Sequence, residues 1–241
     1  IPVTNVPDYG TEEVADSAIG MTLALARGIY AANSRLRSDE GPWTYARCDR
    51  LVRLRGEFFG IVGLGRIGTA VAIRAKALGM NVLFFDPYIS DGHDKALGVR
   101  RVESLDELLE KSLVVSLHCP ATLETRHLID RERLNLMRPG SYLVNTARGT
   151  IVDSAALAEA LASSRLAGAG IDVLEREPPE DDPLIHAWRD PRHPAYHRAI
   201  INPHSAFYCE EGLIEMRTKG AQSCRRALLG QPLRNVVNQR D

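Results

Sequence analysis

The sequence predicts an α/β protein built on a doubly wound parallel sheet with helices on both faces. Three observations carry this prediction. From Glu57 onward, short apolar runs alternate with helical patterns, and strand-helix repetition of this kind buries a parallel sheet between helices. The first run leads into Gly63-x-Gly65-x-x-Gly68 at the start of a helical pattern. The next run ends in Asp86, close to the ~20-residue spacing at which an acidic residue follows such a loop.

The elements follow in order. Thr11 is placed to cap a helix, with Glu12 and Glu13 in its first turn. Val14, Ala18, Met21, Leu25 and Ile29 then recur at helical spacing, so one long amphipathic helix is predicted from Thr11 to Ile29. The Arg-rich stretch Ser34 to Arg55, with Gly41-Pro42-Trp43, reads as a loop with room for a short helix. Strands are predicted in "FFGIVG", "NVLFFD", "LVVSLH", "SYLVNT" and "AGAGIDV", and helices in "RIGTAVAIRAKALG", "SLDELLEK", "DRERLNLM" and "DSAALAEALAS". Ser104 with Glu107 three residues on is a capping-box pattern, and Asp153 precedes an alanine-rich run. Right-handed crossovers stack such strands into one sheet. After Val173, prolines at 178, 179, 183, 191 and 194 forbid a helix and predict a long loop. A last strand, "AIIN", leads to His204, and a final helix is predicted from Ala206 to Leu229 with Gly230 as its stop.

Composition bounds the function. The chain has 241 residues, 44% hydrophobic and 25% charged, the balance of a globular protein with a substantial core. With 30 basic and 31 acidic side chains the net charge is −1, so no overall field holds a polyanion, and direct nucleic-acid binding is not expected. Cys48, Cys119, Cys209 and Cys224 form no CxxC pair and no metal-type spacing with histidine, so no metal site is expected and the four read as free thiols of a reducing compartment. No apolar run approaches the roughly 18 residues needed to span a bilayer. "IPVTNVPDYG" lacks the basic start and apolar centre of a signal peptide. A cytoplasmic protein is expected, or a nuclear one in a eukaryote.

The glycine loop is a weak signal alone, since it also suits any tight strand-to-helix turn, but its context is right on both sides. Gly63 allows the turn, Gly65 lets backbone approach a pyrophosphate, and Gly68 lets helix and strand pack closely. Asp86 would accept hydrogen bonds from an adenosine ribose and repel a 2′-phosphate. No arginine or lysine follows in Pro87-Tyr88-Ile89-Ser90, which favours NAD(H) over NADP(H). Arg66 either touches the phosphates or is solvated.

Three later strand ends present the residue types that 2-oxo-acid chemistry needs. Arg148 in "NTARG" sits where open α/β sheets bind ligands, and a guanidinium grips a carboxylate through two parallel hydrogen bonds; alone it is as readily a surface arginine. Glu177 in "LEREP" is a carboxylate of the kind that fixes an imidazole tautomer and favours its protonated form, with Glu175 and Glu180 as competitors. Among seven histidines, His204 alone stands at a strand-to-helix junction on the ligand edge. A lone histidine is more often structural than catalytic, and this stretch by itself leaves the choice open.

Together the stretches "GIVGLGRIGTAVAIRAKALGMNVLFFDPY", "HCPATLETRHLI", "LVNTARGTIVD", "GIDVLEREP" and "NPHSAFY", in this order, resemble the D-isomer-specific 2-hydroxyacid dehydrogenases. Within that family "VLFFDPYISDG", "AFYCEEGLIEMR" and the closing "NVVN" look most like the C-terminal binding proteins, NAD(H)-responsive transcriptional corepressors that keep a dehydrogenase site. The resemblance implies NAD as cofactor and reversible hydride transfer between a D-2-hydroxy acid and a 2-oxo acid. It assigns Arg148 to the substrate carboxylate, His204 to general acid/base catalysis and Glu177 to its support. It places Gly63, Gly65, Arg66, Ile67 and Gly68 at the pyrophosphate and Asp86 at the adenine ribose. Cys119 and Pro120 fall on the adenine side, and Thr125 near the phosphates. Thr146, Ala147, Arg148, Asp172 and His204 surround the nicotinamide, with Asp172 suited to its carboxamide.

Two features depart from the relatives. Phe207 stands where the C-terminal binding proteins have tryptophan, so apolar contact is kept and the indole N–H is lost. The family normally begins with a substrate-binding unit ahead of the segment matching "IPVTNV", and this sequence starts at that segment. The expected organisation is therefore an NAD-binding Rossmann domain over residues 1–202 and, over 203–241, a helix and tail belonging to the substrate domain. A homodimer is expected, with the helix after Gly10 and the arm behind it as its face. The alternative to the enzyme is an NAD(H)-sensing dimeric corepressor scaffold, whose assembly the cofactor would promote by mass action.

Overall fold

The computed structural model describes residues 1–47 and 51–238. Helices α1 (Thr11–Ala26) and α2 (Ile29–Arg37) lead into the alternating part. This runs β1 (Phe58–Val62), α3 (Arg66–Ala77), β2 (Asn81–Phe85), α4 (His93–Leu97), β3 (Arg100–Arg101), α5 (Leu105–Lys111) and β4 (Val114–Leu117). It continues through α6 (Arg131–Leu136), β5 (Ser141–Asn145), α7 (Ser154–Ala162), β6 (Leu166–Ile171), α8 (Pro183–Arg189), α9 (Ala195–Arg198) and β7 (Ala199–Ile201) to α10 (Glu210–Leu228). The strands form one sheet in the order β3-β2-β1-β4-β5-β6-β7, parallel at every pairing. After β3 the chain returns to lay β4 beside β1, so strand order reverses between them, and the crevice at their carboxyl ends is the ligand position of such sheets.

Each sheet face has its own core. One buries α5 and α7 side chains, among them Leu108, Leu109, Leu157 and Leu161; the other packs α1 and α3 on the sheet through residues such as Ala18, Met21, Val71 and Ala75. The small residues of "LAGAGI" explain how closely α1 approaches. A Cβ on Gly170 would lie 2.8 Å from the Met21 Cβ, and one on Gly168 would lie 3.0 Å from a Leu25 methyl. Arg74 joins α3 to α1, 2.6 Å from Glu12 and 2.7 Å from Asp16.

Several local signals act as expected. Ser104 accepts from the Glu107 N–H at 3.1 Å, Asp153 accepts from the Ala156 N–H at 3.0 Å, and Gly230 takes φ +63° just past α10. Five expectations need correction. The helix from Thr11 does not reach Ile29: Gly28, at φ +64°, ends α1, and a second helix, α2, runs on to Arg37, into the start of the stretch read as a loop with room for a short helix. Thr11 is not the cap; Gly10 holds that position and the Thr11 hydroxyl donates to the Asp8 carbonyl at 3.4 Å. β7 ends at Ile201, three residues short of His204, and α10 begins at Glu210 instead of Ala206, capped by the Cys209 sulfur, which accepts from the Gly212 N–H at 3.0 Å. α4 and β3 appear without having been anticipated. The proline-rich segment holds two short helices.

That last point has a physical reason. Proline is disfavoured inside a helix but suits its first turn, where its N–H would be unpaired anyway. Pro183 sits there, and the Asp182 carboxylate caps the turn by accepting from Leu184 and Ile185 at 2.8 and 3.2 Å. Asp182→Ala is expected to cost about 1 kcal/mol of stability, read as a lower urea midpoint at unchanged slope. An unchanged midpoint would show that α8 does not depend on this cap.

Residues 3–5 pair with the tail: Thr4 bridges Val236, Asn5 N–H donates to Asn235 O at 3.2 Å, and Val237 N–H donates to Val3 O at 2.9 Å. Cys119, Cys209 and Cys224 are free thiols, and Cys48 lies outside the described residues. Among the described residues no helix is long and apolar enough to cross a membrane, and no cluster of three histidine, cysteine or carboxylate side chains is placed to hold a metal ion.

Candidate active site

The glycine loop divides its labour by environment. Gly63 has φ +91°, open to glycine at little cost, and a Cβ there would stand 2.7 Å from the Cys119 nitrogen at the end of β4. A Cβ on Gly68 would lie 2.2 Å from the Gly63 carbonyl oxygen, so strand and helix touch backbone to backbone. Gly65 differs: nothing lies within 4 Å of a Cβ placed on it. It is the N-cap of α3 with no side-chain cap, which leaves first-turn N–H groups and the positive helix end turned toward open space, a ready anion site. Asp86 closes the loop from β2, its Oδ2 accepting from Leu64 N–H at 2.8 Å and its Oδ1 from Tyr88 N–H at 2.9 Å.

A cleft of about 720 Å³ opens over the carboxyl ends of β1, β4, β5 and β6. Gly65, Arg66 and Ile67 line one part, Cys119 and Pro120 another, and Thr146, Ala147, Arg148, Asp172 and His204 the rest. Gly63, Gly68, Asp86 and Glu177 are not part of this lining. Thr125 is also away from it, its hydroxyl donating to Pro120 O at 2.6 Å and accepting from Thr122 N–H at 2.8 Å. Asn5, Pro7 and Tyr9 supply a wall that sequence reading missed, because no periodicity marks an irregular segment that only the fold brings over the sheet.

Two buried strand-end residues position the rest. Asn145 donates to Arg148 O and accepts from Ala147 N–H, both at 3.0 Å, fixing the turn from which the exposed Arg148 side chain projects. Asp172 is 2% exposed, and its carboxylate accepts from Ser205 and Ala206 N–H at 2.9 and 3.0 Å. Its carbonyl accepts from His204 N–H at 2.8 Å. The backbone of residues 204–206, with His204 at φ +54°, therefore donates three N–H bonds to one residue, Asp172. Each Asp172 oxygen still has a lone pair for a ligand.

His204 Nδ1 meets Glu177 Oε2 at 2.6 Å. With Nδ1 engaged, Nε2 is the nitrogen available to the cleft. The ring also stands edge-to-face with Phe207, centroids 6.1 Å apart, and Phe207 does the same with Tyr9 at 6.0 Å. The competing carboxylates are otherwise committed: Glu175 pairs with His127, and Glu180 with Arg176 at 2.8 Å.

The cleft floor holds two orphans, Thr146 Oγ1 and His118 Nδ1, both buried without a partner. Buried polar groups are normally satisfied, so a polar ligand or water suits this floor. His118 Nε2 lies 2.8 Å from Ser116 Oγ, and burial pushes the imidazole pKa down from 6.5 to about 3. Burial likewise pushes the Cys119 thiol up to about 11. For His118 the folded value lies below the unfolded one, so its contribution to stability is whole above pH 6.5 and is lost as pH falls toward 3. From pH 7 to pH 5 this one group is expected to remove about 2 kcal/mol of unfolding free energy. Urea unfolding of wild type and His118→Asn at both pH values checks this, and an equal drop in the two proteins would refute it.

The sequence matches the family described as D-isomer specific 2-hydroxyacid dehydrogenase, NAD binding domain, over residues 19–206. It is 38% identical over 238 residues to a D-3-phosphoglycerate dehydrogenase of Methanocaldococcus jannaschii, spanning 99% of this chain and 43% of that protein. To a glyoxylate reductase of Korarchaeum cryptofilum it is 40% identical over 243 residues, spanning 99% of this chain and 70% of that one. The crystal structure of a D-lactate dehydrogenase from Aquifex aeolicus complexed with NAD and lactic acid superposes with a TM-score of 0.84 at 32% identity, covering 95% of this chain and 70% of that one. The glycine loop, the acidic end of β2, the orphan polar floor and these likenesses agree, and the chain belongs to the D-isomer-specific 2-hydroxyacid dehydrogenase family, of which it carries the NAD-binding domain.

Proposed function

We propose that the protein is an NAD-dependent oxidoreductase interconverting a D-2-hydroxy acid and a 2-oxo acid. The observation that carries this is the His204–Glu177 pair, 2.6 Å apart, on a cleft that also holds Arg148 and the open side of the glycine loop. NAD bound there supplies or accepts the hydride. Gly65, Arg66 and Ile67 receive its pyrophosphate at the α3 terminus, while Gly63 and Gly68 keep the loop in shape. Asp86 takes the adenine ribose, and its charge disfavours a 2′-phosphate. Cys119 and Pro120 border the adenine side, Thr125 stands near the phosphates, and Thr146, Ala147 and Asp172 surround the nicotinamide.

The chain's own residues handle charge and proton. Arg148 binds the substrate carboxylate through two parallel N–H bonds and draws electron density from the adjacent carbonyl. His204 donates its Nε2 proton to the oxygen that becomes the hydroxyl, and takes that proton back in the reverse reaction. Glu177 holds the proton on Nδ1, so that Nε2 is the nitrogen exchanging it with substrate.

In the same reading residues 1–202 form the NAD-binding domain and residues 203–241 belong to a substrate domain. A homodimer is part of it too. α1 spends its apolar side on this chain's own core, so the contact falls to α2 and the arm behind it, where Ile29, Trp43 and Tyr45 are 59%, 89% and 90% exposed. The corepressor alternative rests on the stretches resembling the C-terminal binding proteins. The relatives compared above are named as dehydrogenases and a reductase, which supports the enzyme. The test is loss of NADH absorbance with a panel of 2-oxo acids. Turnover of one or more is expected; NADH binding without turnover of any would overturn the enzyme reading.

A further inference from the structure

The loop carrying Glu177 rests on a seat that the proposed chemistry does not use. Leu174 N–H donates to Glu177 Oε1 at 2.8 Å, so one carboxylate oxygen closes the loop's own turn and leaves Oε2 for His204 Nδ1. The turn shapes the loop but does not place it. Placement comes from outside. A Cβ on Gly149 would lie 1.9 Å from the Leu174 carbonyl carbon, 2.1 Å from its oxygen and 2.3 Å from the Glu175 nitrogen. All three are backbone atoms, so no side-chain rotation relieves the overlap. Beside this contact Glu175 pairs with His127, whose own N–H donates to Thr150 O at 2.8 Å. Residue 127, the 149–150 turn and residues 174–175 thus lock together, with Glu177 two residues beyond.

We propose that Gly149 and the His127–Glu175 pair are positioning residues for the proton-transfer pair, setting where the Glu177 carboxylate stands against His204; this rests on the roles given to His204 and Glu177 above. The two parts differ in weight. The His127 and Glu175 side chains are 37% and 32% exposed, and an ion pair in water's reach contributes little. The Gly149 contact is steric and admits no compromise. Displacing a catalytic group by about 1 Å can cost on the order of a hundredfold in rate, so Gly149→Ala is expected to lower kcat by roughly ten- to a hundredfold, and His127→Ala or Glu175→Ala by roughly threefold. NADH affinity is expected to stay within about twofold in each, because no seat residue lines the cleft.

The deciding readout needs no turnover: the ¹H–¹⁵N signal of the His204 Nδ1–H, assigned by its loss in His204→Gln. It is expected to vanish in Gly149→Ala, to broaden in His127→Ala and Glu175→Ala, and to return in His127→Gln, which keeps an N–H donor. Arg176→Ala, in the same loop but paired with Glu180, should leave it unchanged. A signal present in wild type and unaltered in every seat variant overturns the seat. Should Gly149→Ala not fold, the His127 and Glu175 variants decide on the same signal. Its absence from wild type would instead sink the His204–Glu177 pairing, and the seat with it.

Discussion

His204→Gln is expected to lower kcat by on the order of 10²- to 10⁴-fold, the usual contribution of a positioned general acid/base, while leaving the fold and NADH binding close to wild type. Glutamine is similar in reach and keeps an N–H donor, so Glu177 retains a partner and no half-buried carboxylate is left bare. The backbone bonds that hold position 204, from its own N–H and those of Ser205 and Ala206 to Asp172, do not involve the side chain. What glutamine lacks is a group that gains and loses a proton near neutral pH. Steady-state NADH oxidation with the best 2-oxo acid, beside a fluorescence titration of NADH, separates the two quantities. A kcat within tenfold of wild type would remove His204 from the chemistry. A parallel collapse of NADH affinity would make it a binding residue instead.

What the chain discloses before folding follows the range of the physics involved. Apolar runs, caps and glycine spacing act over a few residues, and the strands, the Ser104 and Asp153 caps and the loop at Gly63 to Gly68 were accordingly readable. The sequence misleads where two local signals conflict. The apolar period of α1 runs smoothly through to Ile29, and only the left-handed backbone at Gly28 breaks it. At Pro183 a residue that usually ends helices begins one, because Asp182 satisfies the first turn. The site was less legible than the fold. "LEREP" presents two candidate carboxylates with Glu180 beyond the prolines as a third, and nothing within the segment says that His127 engages one and Arg176 another. Asp172 holding the backbone of Ser205 and Ala206, and Gly149 lying against Leu174, join residues far apart in the chain. No spacing rule carries such information. The resemblance singles out Glu177, and of the three carboxylates it is Glu177 that lies 2.6 Å from His204 Nδ1.

The last two glycines of one motif provide the second large contrast. Gly68→Ala is expected to damage the fold itself. Its Cβ would meet the Gly63 carbonyl oxygen at 2.2 Å and an Ile61 methyl at 3.3 Å, so α3 must lift away from β1. Overpacking of this kind costs about 1–3 kcal/mol or more, seen as a lower melting temperature without any cofactor present. Gly65→Ala should do the reverse. Its φ of −72° suits an L-residue, and nothing stands within 4 Å of the new methyl. Removing a glycine restricts the unfolded chain and stabilises by about 0.4–1 kcal/mol, which the poorer N-cap offsets by a similar amount. Net stability therefore stays within about 1 kcal/mol. The space the methyl enters is where a pyrophosphate must approach the α3 terminus, so NADH affinity is expected to fall roughly ten- to a hundredfold, about 1.4–2.7 kcal/mol. Melting curves without cofactor and NADH fluorescence titrations of both variants make the comparison. Tight NADH binding by Gly65→Ala would mean that the phosphates do not pass over that residue, and the assignment of the whole glycine loop to the cofactor would have to be withdrawn.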